Sequence, residues 1–118
     1  MTTRTSSYTH NQMITALVDQ YAKEGYSVKA DHIGHPNGAP VPVNGHIPDV
    51  AAYSGGNIKI IAEAETCDSI SGTETHDQWS AFSRSSYAFH VIVPKSCLED
   101  AQNQARAWGI SVDKWWWL

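Results

Sequence analysis

Apolar residues recur along this chain with two different periods, and the switches between them mark its elements. Ile14, Leu17, Val18 and Tyr21 follow one another at helical spacing behind Thr9 and Gln12, a capping-box pair, and the stripe stops at Gly25. This predicts a first helix. Tyr26–Asp31 reads as a strand of weak alternation, and the Pro- and Gly-rich stretch from His32 to Gly45 reads as a long loop, with a piece of edge strand near Val41 and Val43. Two strands then flank Gly55-Gly56, the first starting at Pro48-Asp49 and the second ending at Glu63-Ala64-Glu65. A second helix, capped by Ser71 with Glu74 or by Thr75 with Gln78, carries an apolar stripe that begins with Trp79 and Phe82. Ala88–Val93 is a nearly continuous apolar run that ends at Pro94, as in a strand buried on both faces. Ser96 with Glu99 then caps a third helix bearing Leu98, Ala101, Ala105 and Trp108, which closes at Gly109.

The resulting order, αβββαβα, predicts a mixed central sheet flanked by helices. At 118 residues, 42% of them apolar and 17% charged, the chain forms one domain spanning 1–118. No run approaches the ~20 apolar residues that cross a bilayer, and Met1–Tyr8 has no apolar core of leader length, so a soluble cytoplasmic protein is expected. In that setting Cys67 and Cys97 are expected to be ordinary reduced thiols. A net charge of −4 with scattered lysines and arginines argues against a tight nonspecific nucleic-acid binder.

Candidate chemistry concentrates in the hairpin. Carboxylates inside strands rich in Ile, Val and Ala are costly to desolvate and call for a cation or a hydrogen-bond network. Alternation puts Asp49, Ala51 and Tyr53 on one face of the first strand, and Lys59, Ile61, Glu63 and Glu65 on one face of the second. If the apolar faces match, Asp49 stands across from Glu63. The turn must then have an odd number of residues, most simply Gly55-Gly56-Asn57, because a two-residue turn sends the two acids to opposite faces. Glu63 and Glu65, roughly 7 Å apart along the strand, then bracket a site that Asp49 enters from its neighbour. Such oxygen donors suit Mg2+ or Mn2+, and hydrolysis of a phosphodiester is the natural reaction there.

The element order, with Pro48-Asp49 opening one strand and Glu63-Ala64-Glu65 closing the next before a helix, resembles the PD-(D/E)XK nuclease superfamily. The resemblance implies a restriction-endonuclease-like fold and a metal-dependent endonuclease acting on DNA. It implies Asp49 and Glu63 as Mg2+ or Mn2+ ligands, with the backbone carbonyl of Ala64 as a further ligand. Glu65 stands where the family usually carries a lysine that positions or activates the attacking water. Some restriction enzymes of the superfamily have glutamate there, which implies Glu65 as ligand or general base. Lys59, roughly 13 Å down the strand from Glu63, is too far away to replace that lysine.

Gln78 matches the polar residue that members place on the helix after the motif, and equally the residue closing a capping box begun by Thr75. Asp19 and Glu24 on the first helix read as solvated charges, and His32, His35 and His46 as loop histidines rather than a zinc set. Trp79 and Trp108 read as core helix residues. Trp115-Trp116-Trp117 suits a homodimer contact or a sheet edge better than a base-stacking platform. The competing reading is a catalytically degenerate member of the same fold that binds nucleic acid or protein. A third is a small acidic inhibitor that mimics phosphate.

Overall fold

The computed structural model describes residues 8–118; residues 1–7, most of the segment read for a leader, lie outside them. The described elements run α1 (His10–Lys23), β1 (Ser27–Ala30), β2 (Val50–Ser54), β3 (Asn57–Ala64), α2 (Thr73–Ser83), β4 (Ala88–Val93), a 3-10 turn (Lys95–Cys97), α3 (Leu98–Ala107) and β5 (Lys114–Trp117). All seven expected elements form, and the Trp-rich C-terminus adds a fifth strand.

The sheet has the order β1-β2-β3-β4-β5. Its first three strands pair antiparallel, while β4 and β5 join parallel to β3 and β4. Each parallel connection carries a helix, as crossovers require. Met13, Ile14, Leu17 and Tyr21 of α1 pack on Val50, Ala52, Ile60, Ala62 and Ala64. The opposite face, with Ala51, Ile61, Phe89, Val91 and Val93, is covered by Trp79 and Phe82 of α2 and by Ala101 and Ala105 of α3. The result is a three-layer α/β fold. No helix among the described residues is long and apolar enough to cross a membrane.

The β2–β3 hairpin reaches the expected register by a different route. Ser54 pairs with Asn57, so the turn has two residues rather than three. The ladder then shifts: Tyr53 pairs with Ile58 but Ala52 with Ile60, leaving Lys59 as the extra residue of a β-bulge. From there Val50 pairs with Ala62, which brings Asp49 opposite Glu63. Both glycines have positive φ, +59° at Gly55 and +80° at Gly56, as a type I′ turn demands.

Thr9 and Gln12 form the expected capping box. The others do not form. Helix α2 starts behind Gly72 and α3 behind Cys97, neither with a side-chain cap. Thr75 lies inside α2 and spends its hydroxyl elsewhere, and the 3-10 turn takes up Ser96. The expected strand near Val41 and Val43 reduces to a single bridge between Val43 and His46.

Cys67 and Cys97 form a disulfide with a Cα–Cα distance of 5.7 Å, which corrects the expectation of reduced thiols. The loop leaving β3 and the turn leaving β4 lie at the same end of two parallel strands. That brings cysteines 30 residues apart into bridging range. The expected cytoplasmic setting gave the opposite forecast, since disulfides persist in oxidising surroundings.

Strand β5 accounts for the tryptophan triplet by alternation. Trp115 packs into the α2/α3 layer, Trp116 into the α1 layer, and Trp117 remains exposed on the edge strand. Trp116 Nε1 donates to Nδ1 of His90 over 3.0 Å, and the Tyr21 hydroxyl lies 2.7 Å from the same nitrogen. Burial, aided by Lys114, pushes His90 down to about 4.

Candidate functional site: a carboxylate and histidine cluster

Asp49, Glu63, Ala64, Glu65 and Gln78 line one cavity of about 530 Å³ at the end of the sheet where β2 begins and β3 stops. The three acids are buried, between 2% and 5% exposed. Asp49 and Glu63 are interlocked through the backbone. The Asp49 N–H donates to Glu63 Oε2 over 2.8 Å, and the Ala64 N–H donates to Asp49 Oδ2 over 2.9 Å. In a strand the N–H and C=O of one residue point to the same side, so the Ala64 carbonyl is directed toward Asp49 as well.

Burial, with Asp49 and then Glu65 as like charges beside it, raises the Glu63 carboxyl well above its usual range. Positive charge placed beside the three carboxyls would oppose that shift.

Glu65 is held by three donors. Ser69 Oγ and Thr75 Oγ1 donate to its Oε1 over 2.7 and 3.2 Å, and Trp79 Nε1 donates to its Oε2 over 3.2 Å. The single Thr75 hydroxyl proton is shared between Glu65 and the Ser69 carbonyl, 2.6 Å away, which uses the hydroxyl that a capping box would have needed. Trp79 is therefore a core residue with a polar task. Burial raises Glu65 to about 7 despite these bonds. Gln78 is released from any capping role; its amide lies 3.4 Å from Glu74 on the cavity wall.

Two histidines that sequence reasoning did not assign to the site complete it. His10, the first residue of α1, places Nε2 3.0 Å from Asp49 Oδ2. His32 places Nε2 3.4 Å from Asp49 Oδ1 and 3.4 Å from Asp31 Oδ2. His32 is fixed by the chain at the end of β1: the Asp31 N–H donates to the Asp49 carbonyl over 2.9 Å, and His32 takes φ +69°. The hydrogen bond to Asp49 raises His10 to about 8, against the opposing effect of burial. His10 lies one turn ahead of Ile14 on the buried stripe of α1, a signal available in the sequence. His32 carried none, since its approach depends on a left-handed loop residue.

The remaining polar candidates lie elsewhere. His46 packs edge-on against Phe82, and the His35 ring accepts from the Asn37 N–H. Glu24 bonds Gln20, while Asp19 and Lys59 are exposed.

The buried acids carry a pH signature in the cation-free protein. A folded-state value above the unfolded one means that Glu65 adds stability below the usual 4.5 and loses it as pH rises through about 7. The expected loss is about 3 kcal/mol. His90 works in the other direction, because below 6.5 the unfolded chain takes a proton that the folded one refuses until about 4. The measurement is therefore a difference. In chelator, urea unfolding of wild type should weaken relative to Glu65→Gln across that window, and parallel curves would contradict the burial argument.

Fold and site together define an α/β domain with a buried cluster of acids and histidines at the end of a mixed sheet. No known protein family, curated protein or solved structure matches this chain.

Proposed function

We propose that the chain is a metal-dependent nuclease that hydrolyses phosphodiester bonds in DNA, on a restriction-endonuclease-like version of this α/β fold. The observation that carries the reading is the interlock of Asp49 with Glu63 on the floor of an open cavity, with Glu65 on the same face. The donor set fits a hard dication. Two buried carboxyls and a strand carbonyl converge, and their mutual repulsion is relieved by positive charge. Asp49, Glu63 and the Ala64 carbonyl would hold Mg2+ or Mn2+. When bound, such an ion lowers the pKa of a water and neutralises charge building on the phosphate.

The chain's own residues supply the rest. Glu65, oriented by Ser69, Thr75 and Trp79, takes the proton of the attacking water as general base. Gln78 offers an amide from α2 to a phosphate oxygen or to that water. A homodimer joined along the β5 edge, where Trp117 and Leu118 are exposed, would present two such sites to the two strands of a duplex.

The second reading, a catalytically degenerate binding module, is favoured by two observations: both oxygens of Glu65 already accept hydrogen bonds, and no lysine lines the cavity. Incubation with supercoiled plasmid and with single-stranded DNA in Mg2+ or Mn2+ separates the two. The nuclease predicts cleavage that stops in EDTA and in Glu63→Ala. No cleavage of either DNA, together with DNA retention in a binding assay, would favour the module.

A further inference from the structure

The Asp49 carboxylate faces two imidazoles as well as Glu63, and the hard-cation reading leaves those imidazoles unused. We propose that His10, His32 and Asp49 form a binding site for a borderline transition-metal dication of the Zn2+ or Co2+ class, with two nitrogen donors and one oxygen donor.

The spacing of the donor atoms supports this. Metal–nitrogen and metal–oxygen bonds of about 2.0–2.1 Å put neighbouring ligand atoms about 3.0 Å apart in an octahedron and about 3.4 Å apart in a tetrahedron. His10 Nε2 lies 3.0 Å from Asp49 Oδ2, and His32 Nε2 lies 3.4 Å from Asp49 Oδ1. All three ligand atoms fall within 4.8 Å of one another, so modest ring rotations close the set around one ion. The two rings meet edge-on at 74° with centroids 5.1 Å apart, which lets both nitrogens aim at the carboxylate without stacking.

Support also comes from the surroundings. His10 Nδ1 lies 3.2 Å from Asn11 Oδ1, and a proton held there leaves the Nε2 lone pair free for a metal. Asp31 adds a second carboxylate 3.4 Å from His32 Nε2, which raises the negative potential around the ion. His32 pays for its place with a left-handed backbone, φ +69°, a conformation uncommon outside glycine. Three protein donors bordering the cavity leave an open coordination position, the arrangement of reactive rather than purely structural zinc sites.

Imidazole donors select the ion. Mg2+ takes oxygen ligands and keeps its waters, whereas Zn2+ and Co2+ accept imidazole readily. The inference therefore needs no cleavage of DNA, and Asp49 is the one ligand it shares with the nuclease reading.

The test uses the tag-free full chain without DNA. Co2+ titration is followed by visible absorption, and Zn2+ binding by calorimetry. Expected are one ion per chain, at least about tenfold weaker binding in His10→Ala and in His32→Ala, and near loss in the double variant. His35→Ala serves as the control from the same loop and should bind as wild type. Mg2+ should not displace Co2+. His10→Gln and His32→Gln, which keep a polar contact to Asp49 but lose the imidazole, carry the same expectation, and circular dichroism establishes that they fold. Undiminished Co2+ binding in the folded double variant, or no binding by wild type at millimolar Co2+, would overturn the site. Because the readout is metal binding, its failure and the absence of nuclease activity are separate results.

Discussion

Asp49→Asn is expected to lower metal-dependent DNA cleavage by at least about a thousandfold, close to 4 kcal/mol of barrier, while leaving the fold intact. The substitution keeps shape and removes charge. An asparagine oxygen can still accept the buried Ala64 N–H, which Asp49 Oδ2 accepts at 2.9 Å. Stability should change little, since the lost pairing with half-buried His10 is offset by weaker repulsion on Glu63. Asp49→Ala makes the contrast, because it orphans the Ala64 N–H at a cost of about 1–3 kcal/mol. Single-turnover cleavage and urea unfolding of both variants check the pair. A fully active Asp49→Asn protein would remove Asp49 from the chemistry.

Opening the Cys67–Cys97 disulfide is expected to cost about 3–4 kcal/mol, from the chain entropy released by a link spanning 30 residues. For a chain of this size the thermal midpoint should fall by about 10–15 °C. Dithiothreitol should produce the drop in wild type, and the Cys67→Ser/Cys97→Ser variant should show it without reductant and respond no further. Function should feel it too. Ser69, two residues beyond Cys67, gives Glu65 its shortest hydrogen bond, 2.7 Å, so a loosened loop should slow any reaction that uses Glu65. An unchanged midpoint in reductant would show that the link contributes nothing to stability.

The sequence disclosed those parts of this molecule that depend on local periodicity. Helix α1 with its Thr9 cap, the buried β4, and the facing of Asp49 toward Glu63 all follow from which residues alternate with which. Features decided by tertiary competition were not legible. Thr75 looks like a helix cap until the Ser69 carbonyl and Glu65 take its hydroxyl. Ser96 looks like another until a 3-10 turn absorbs it. The disulfide depends on two loops meeting at one end of the sheet, which spacing along the chain does not reveal. His10 was within reach, because it extends the buried stripe of α1, whereas His32 required knowledge of a positive φ. The tryptophan triplet suits a sheet edge as well as a partner surface, and its pairing as a strand depends on the free edge that β4 offers.

Lys59, the unpaired residue of the bulge, gives the hairpin slack. Removing it would close β2 and β3 into a regular ladder behind the same two-residue turn, with Ile58 and Ile60 still on the faces they now occupy. Removing a residue between Ile61 and Glu63 would instead rotate the acids into the α1 layer. Changes in chain length are thus tolerable at the far end of the hairpin and ruinous near the carboxylates, so the tip can vary in length without disturbing the site.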